Sequence, residues 1–134
     1  MVRFDARQET KPDVVCDLRL IPHNHFGQYD VVHSRHVLEH FGAAEAVPLV
    51  SHWAKLVKVG GRLEICVPDI EVACRDIVHG EETGALTDGY SWAQLYGSQS
   101  YALDFHKNGF TTRALERLLV MLPNFGQVAV VKAD

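Results

Sequence analysis

Long hydrophobic runs are missing from this sequence of 134 residues. No run approaches the roughly 18 apolar residues that a membrane-spanning helix needs, so we expect no membrane partner. The first residues contain no apolar signal core, and secretion is therefore not expected. The rest of the composition is ordinary, with 47% hydrophobic and 22% charged residues. Length and composition together predict one domain over residues 1–134.

An excess of positive charge is also missing. The 13 lysines and arginines are outnumbered by 17 acidic residues, which gives a net charge of -4. Proteins that bind nucleic acid mainly through phosphates need a basic excess to neutralise them. We therefore expect no nucleic-acid partner.

Cysteine is scarce and carries no pairing pattern. The sequence has three cysteines, which is an odd number: Cys16, Cys66 and Cys74. They form no CxxC motif and have apolar neighbours in the sequence. This pattern is typical of buried, reduced thiols. It predicts a cytoplasmic protein, since disulfides belong mainly to oxidising compartments.

Short β-branched runs and amphipathic segments are what the sequence does have, and they predict an α/β protein. Pro48 fits the first turn of one predicted helix, and Gly60 with Gly61 fits its end. Asp69 and Thr111 or Thr112 are predicted helix caps. The predicted strands are 2–5, 13–16, 29–33, 62–67 and 127–132. The predicted helices are 47–58, 70–78, a short one within 91–103, and 111–122, with a loop at 79–90.

Several segments in order resemble class I S-adenosylmethionine-dependent methyltransferases, in particular a small bacterial and phage type. The segments are PDVVCDL at 12–18, YDVVHSRHVLEH at 29–40 and LVKVGGRLEICVPD at 56–69. YG at 96–97 and HKNGFT at 106–111 resemble a later segment of the same group. Each motif alone is weak, and their order and spacing carry the resemblance.

The resemblance implies a Rossmann-like fold with a mostly parallel, doubly wound sheet. In such sheets the ligand lies outside the carboxyl ends of the strands. The implied cofactor is S-adenosylmethionine. The implied function is transfer of its methyl group to a small-molecule or sugar acceptor.

Cofactor-binding positions follow from the same resemblance, one residue at a time. Asp5 would accept hydrogen bonds from the two ribose hydroxyls, which match the two oxygens of one carboxylate. Asp17 would accept from the adenine amine, and Leu18 would cover the adenine ring. His33 and Ser34 would lie close to the sulfonium and its methyl group. Two alternatives stay open: an exposed N-terminal carboxylate for Asp5 and a turn cap for Asp17.

Two histidines are the candidate catalytic residues. His36 and His106 could accept the acceptor's proton, because a neutral imidazole is a base near pH 7. His106 could instead be a polar loop residue. Glu39 is expected to hold a neighbouring histidine or backbone group.

The glycine-rich turn of this family is absent. No GxG occurs in the sequence, and only four residues precede Asp5. The resemblance therefore implies a fold truncated at the N-terminus, without its first strand and helix. We expect the sheet to re-pair and the chain to form a homodimer. A non-catalytic remnant that serves as an interaction or assembly module is the alternative.

The segment His36-Val-Leu-Glu-His40 also matches HxxEH, a zinc motif of metallopeptidases. On a helix, residues four apart share a face and could hold one ion, with Glu116 or another downstream carboxylate as a third ligand. A zinc hydrolase is therefore a minor alternative. The methyltransferase resemblance accounts for the same residues, so we expect no dedicated metal site. We expect the His40 ring to pack against the following helix.

Overall fold

The computed structural model describes residues 1–83, 89–123 and 125–129. Within these residues no helix combines the length and the apolar character that crossing a membrane requires. The strands are β1 (Phe4–Asp5), β2 (Val14–Val15), β3 (Tyr29–Arg35) and β4 (Val57–Cys66). The helices are α1 (Ala43–Ala54), α2 (Ile70–Thr83), α3 (Gly89–Tyr96) and α4 (Thr112–Val120), with 3-10 turns at Gln8–Thr10, His23–His25 and Leu38–His40.

The strands of the described residues form two separate two-stranded sheets. β1 and β2 are parallel, with Asp5 opposite Val15. β3 and β4 are also parallel, because Tyr29 N–H donates to the carbonyl of Leu56 and His36 N–H donates to that of Cys66. The predicted single, doubly wound sheet is therefore not confirmed. Among the described residues no strand lies between β1 and β3 to join the two pairs, so the expected re-pairing is not observed.

α1 begins and ends earlier than the sequence predicted. It starts at Ala43, where the Glu45 carboxylate accepts a hydrogen bond of 2.8 Å from Gly42 N–H. Pro48 therefore lies inside the helix and not in its first turn. Gly60 and Gly61 belong to β4, and the prediction that they end the helix is wrong.

Backbone conformation explains Gly60 in β4, and close packing explains Gly61. Gly60 has a φ of +82°, in the left-handed region that glycine adopts readily. A Cβ on Gly61 would lie 2.6 Å from the carbonyl oxygen of Asp30 on the neighbouring strand. Only glycine lets the two backbones approach this closely.

Among the later elements α2 starts where the sequence predicts, whereas α3 starts at Gly89, before the predicted segment 91–103. α2 continues to Thr83, so the predicted loop at 79–90 is helical at 79–83 and again at 89–90, and residues 84–88 lie outside the described residues. α4 falls within the predicted helix. The predicted strand at 127–132 is not formed at 127–129, and residues 130–132 lie outside the described part of the chain.

Contacts divide the chain into two compact units. Unit 1 comprises Met1–His33 and Pro48–Glu64, and unit 2 comprises Ser34–Val47 and Ile65–Asp134. The buried apolar side chains of unit 1 are Ile21, Leu49, Val50, Trp53 and Leu56. Those of unit 2 are Leu38, Ala46, Ala73, Ile77, Phe110, Leu115, Leu118 and Leu122.

Asp69 links the first turns of two helices in unit 2. Its carboxylate accepts from Glu71 N–H at 3.0 Å, which caps α2 as predicted, and from the Thr112 hydroxyl at 3.1 Å. Its backbone pairs with Phe110 in an isolated parallel bridge, and Ile70 N–H donates to the Phe110 carbonyl. The N-termini of α2 and α4 are thus held together by one residue and its neighbours.

The three cysteines are free. Cys16 and Cys66 are partly buried, but Cys74 is exposed on α2, so the prediction of burial is wrong there. The α2 periodicity placed Cys74 beside the buried Ala73 and Ile77, at the margin of the apolar face, where the packing leaves it in solvent.

Candidate functional site

Asp5 ends β1, at the carboxyl edge of the first sheet. Its Oδ1 accepts from Arg7 N–H at 2.9 Å, and its Oδ2 accepts from the Thr10 hydroxyl at 3.0 Å. The Arg7 guanidinium Nε also lies 3.6 Å from Oδ1. The carboxylate is partly buried and fixed by its own loop, and is not the freely exposed side chain that the alternative interpretation required.

Asp17 and Leu18 follow β2, whose carboxyl end lies at the same sheet edge as that of β1. Asp17 Oδ1 accepts from Arg19 N–H at 2.9 Å and lies 3.3 Å from the Arg19 guanidinium. The Asp17 carbonyl accepts from Leu20 N–H, so the turn-cap interpretation describes its present contacts. The Leu18 carbonyl accepts from the Trp53 indole at 3.0 Å, which fixes the backbone there.

His33 is half-exposed on β3 and pairs with its neighbour on β4. Its Nδ1 lies 3.0 Å from Glu64 Oε2. Hydrogen bonds from Arg62 and then from His33 hold the pKa of the Glu64 carboxyl below its usual range. The His33 ring is therefore engaged within unit 1.

Ser34 is buried in unit 2, and its hydroxyl has no hydrogen-bond partner among the described residues. A buried hydroxyl without a partner is uncommon, because it loses its bonds to water. Among the described residues, Ser34 is the proposed cofactor-binding residue whose side-chain polar atom is buried without a partner.

His36 adopts a left-handed backbone conformation, with a φ of +52°. Non-glycine residues in this region are uncommon and occur often at functional sites. The His36 N–H donates to the Cys66 carbonyl at the end of β4. The half-exposed ring places Nδ1 at 3.3 Å from Oε1 of Glu39.

Glu39 is the buried centre of a cluster in unit 2. Its side chain is 1% exposed, and neither carboxylate oxygen accepts a hydrogen bond from the described residues. The Glu39 carbonyl accepts from both Lys107 N–H and Asn108 N–H, at 2.8 and 3.1 Å. These two bonds bring the segment that carries His106 to Glu39.

His106 and His40 complete this cluster. Their rings meet edge to face, with centroids 4.9 Å apart. Nδ1 of His106 lies 2.9 Å from the Gln94 carbonyl, and Nδ1 of His40 lies 3.2 Å from the Phe105 carbonyl. One ligand atom from each of Glu39, His40 and His106 lies within 4.8 Å of the others.

The structure thus brings the two predicted catalytic histidines to one carboxylate. His36 contacts Glu39 directly, and His106 lies in the cluster that Glu39 centres. The role predicted for Glu39, holding a neighbouring histidine, agrees with its place beside His36. The His40 ring contacts the His106 ring edge to face, a contact that the sequence did not predict.

The helical form of the HxxEH motif is not present. Leu38–His40 is a 3-10 turn, and the left-handed His36 precedes it. His36 and His40 therefore do not share one face of an α-helix, which the zinc-hydrolase interpretation required. Among the described residues, the metal-ligand cluster includes His106 and does not include Glu116. Sequence reasoning had named all three residues of this cluster but did not group them.

The sequence also matches a known family over most of its length. A family model described as a methyltransferase domain matches residues 2–115. The chain belongs to this methyltransferase family. The match covers the cofactor-binding candidates, the His36–His40 segment and His106, and it supports the class I S-adenosylmethionine-dependent type that the motifs indicated. No curated protein and no solved structure matches the chain.

Proposed function

We propose that this methyltransferase-family chain binds S-adenosylmethionine and transfers its methyl group to a small-molecule or sugar acceptor. The observation that carries the proposal is the family match over residues 2–115. The bound cofactor would supply an electrophilic methyl group on a sulfonium. Everything else in the reaction, which is binding, orientation and proton removal, falls to the side chains of this protein.

The contacts of Asp5 leave room for the ribose. A carboxylate has about four lone-pair sites on its two oxygens. Arg7 N–H and the Thr10 hydroxyl occupy one site on each oxygen of Asp5. The Arg7 guanidinium Nε also lies 3.6 Å from Oδ1, and the ribose hydroxyls would share the carboxylate with these donors. The internal hydrogen bonds also fix the carboxylate, so little side-chain freedom would be lost on binding.

The remaining cofactor contacts are proposed for Asp17, Leu18, His33 and Ser34. Asp17 Oδ2 accepts a long hydrogen bond of 3.4 Å from the Arg19 guanidinium and could also accept from the adenine amine. The partly buried Leu18 would cover the ring. The unpartnered hydroxyl of Ser34 could bind a polar atom near the methionyl end.

Proton removal is proposed for His36 and His106. His36 Nδ1 lies 3.3 Å from Glu39 Oε1, and a ring protonated at Nδ1 would have the lone pair of Nε2 to accept a proton. Glu39 would then be a positioning residue that fixes the tautomer and stabilises the imidazolium. The Gln94 carbonyl can only accept, so it selects the same tautomer for His106.

Calorimetric titration of the full chain with S-adenosylmethionine tests the binding proposal. We expect micromolar binding that Asp5→Asn weakens by about 10- to 100-fold, since hydrogen bonds to a charged group contribute about 1.5–3 kcal/mol. Asp76→Asn, an exposed carboxylate on α2, is the matched control and should bind like the wild type. No binding at millimolar cofactor, or equal losses in both variants, would contradict the proposal.

Methyl transfer is tested separately, with labelled cofactor and a mixture of hydroxylated small molecules and sugars. We expect labelled product with the wild type and a loss of about 10²- to 10⁴-fold with His36→Ala, the range for a general base. Unchanged transfer by this variant would remove His36 from the mechanism.

The second candidate function is that of a non-catalytic interaction or assembly module with the methyltransferase fold. Two observations favour it: the sequence lacks a GxG turn, and the described strands do not join into one sheet. In such a module cofactor binding would be absent in the wild type as well. The three free cysteines support a reducing, cytoplasmic location for either candidate.

A further inference from the structure

The Glu39 carboxylate is buried without hydrogen bonds from the described residues that would compensate for its lost hydration. It is 1% exposed, and no described residue donates a hydrogen bond to either oxygen. A buried carboxylate is unfavourable unless a cation or several donors compensate for its lost hydration. The nearest cationic candidate, His36 Nδ1, lies 3.3 Å away on a half-exposed ring. The buried side of the carboxylate faces His40 and His106.

Both of these histidines are oriented as metal ligands are. Each has Nδ1 within hydrogen-bond distance of a backbone carbonyl, Phe105 for His40 and Gln94 for His106. A carbonyl only accepts, so Nδ1 carries the proton and the lone pair is on Nε2. Metal-binding histidines usually donate their other N–H to a carbonyl or carboxylate in this way.

We propose that Glu39, His40 and His106 bind one divalent transition-metal ion of the zinc class, through the carboxylate and the two Nε2 atoms. Two imidazoles and one carboxylate form a ligand set of catalytic zinc sites. The sequence predicts no dedicated metal site, because the methyltransferase resemblance accounts for the residues of the HxxEH motif without one. The proposed methyl transfer also uses Glu39 and His106, so the two proposals are tested by separate measurements.

The distances permit this site after a small adjustment. In a tetrahedral site with bonds of about 2.1 Å, ligand atoms stand about 3.4 Å apart. One ligand atom from each of the three side chains lies within 4.8 Å of the others. Side-chain rotations that bring the carboxylate and the two Nε2 atoms together would complete the coordination. The backbone bonds from Lys107 and Asn108 to the Glu39 carbonyl already hold the two segments together.

Three protein ligands leave a fourth position open. In zinc sites this position holds water or an oxygen atom of a substrate. A hydroxyl or carboxylate oxygen is therefore the class of ligand that the ion would take here. An ion on Nε2 of His106 would leave His36 as the proton acceptor of the proposed methyl transfer.

Zinc titration of metal-free, tag-free protein tests the inference. We expect one ion per chain, bound at micromolar affinity or tighter. The variants His106→Ala and Glu39→Gln should each weaken zinc binding by at least 10- to 100-fold. A loss of this size already follows when a residue that hydrogen-bonds to a metal ligand is removed. His79→Ala, which removes an exposed histidine of α2, should bind like the wild type.

A second measurement needs no variant and remains decisive if one fails to fold. Diethyl pyrocarbonate modifies free imidazole nitrogens, and peptide mass spectrometry locates the products. Zinc should protect His40 and His106 and leave His79 reactive. Absence of one-to-one binding, binding that survives Glu39→Gln and His106→Ala, or protection that does not distinguish these histidines would overturn the inference. Cofactor titration of Asp5→Asn is unaffected by either result, so the two proposals fail separately.

Discussion

At the scale of single residues, His52 connects burial to pH dependence. Burial lowers the pKa of this imidazole from its ordinary value of 6.5, and Lys55 and then His23 lower it further by charge repulsion, while a hydrogen bond to the Ile21 backbone partly opposes them. Its Nε2 is buried and has no hydrogen-bond partner among the described residues. The folded protein therefore disfavours the protonated ring.

We expect the free energy of unfolding to be highest above the unfolded pKa of 6.5 and to fall as the pH drops from there through the lower folded value. The free energy of unfolding falls because, between the folded and the unfolded pKa of His52, the unfolded chain binds a proton more readily than the folded chain does. Urea unfolding at pH 7.5 and at pH 5 measures how much the free energy of unfolding decreases between them. This decrease should be smaller for His52→Gln than for the wild type. His79→Ala should keep the wild-type drop, and an equal drop in all three proteins would contradict the assignment.

Replacement of Gly97 should lower the free energy of unfolding. Its φ is +77°, and a Cβ there would lie 1.8 Å from the carbonyl oxygen of Asp104. For Gly97→Ala we expect a loss of at least about 1–3 kcal/mol, the penalty of the backbone conformation alone. Gly89→Ala, where nothing lies near the added methyl, should have a much smaller effect. Chemical unfolding measures both, and equal stabilities would show that the close approach is not maintained.

At the scale of elements, the contribution of the Thr111 helix cap to stability can be measured. Its hydroxyl accepts from Ala114 N–H at 3.2 Å at the start of α4. Thr111→Ala should lower the free energy of unfolding by about 1 kcal/mol, and Thr111→Ser should restore most of it because serine retains the acceptor. Thermal unfolding that fails to separate the two variants would exclude the capping contribution.

Locally determined elements were predictable from the sequence. The Asp69 and Thr111 caps depend on neighbours within one turn, and they lie where the pattern placed them. The boundaries of α1 were predicted wrongly, although the Glu45 contact with Gly42 at its start is just as local. Gly60 and Gly61 suggested a helix end, but the place of Gly61 is in β4, close to the Asp30 carbonyl of β3, and this contact between distant segments is not readable from local spacing.

The candidate site shows the same division. His36 and His106 could be named individually from the resemblance, and their common neighbour Glu39 was already suspected of holding a histidine. The grouping of Glu39 and His40 with His106 depends on backbone bonds between distant segments. Helical spacing, which suggested His36 with His40, fails because His36 is left-handed.

At the scale of the whole molecule, the separate strand pairs bear on association. Two-stranded sheets are marginally stable alone, and unpaired strand edges are templates for pairing with another chain. β1–β2 and β3–β4 are each two-stranded within the described residues, and Val15 and Val31 are exposed on them. We propose that two copies of the chain associate through these strands.

Light scattering across a concentration series tests this proposal. We expect twice the chain mass of 15.0 kDa at high concentration, and a melting temperature that rises with concentration because association stabilises the folded state. Val31→Lys should shift the population toward the monomer, while the exposed helix substitution Val78→Lys should not. A monomer at every concentration would rule out the dimer.

The position of Asp69 has a consequence for cooperativity. One carboxylate satisfies an amide of the first turn of α2 and a hydroxyl of the first turn of α4, and the adjoining backbone is paired as well. Fraying at the start of one helix therefore removes a partner from the start of the other. The two helix origins should open as a single unit, with correlated amide exchange, although more than forty residues of chain separate them.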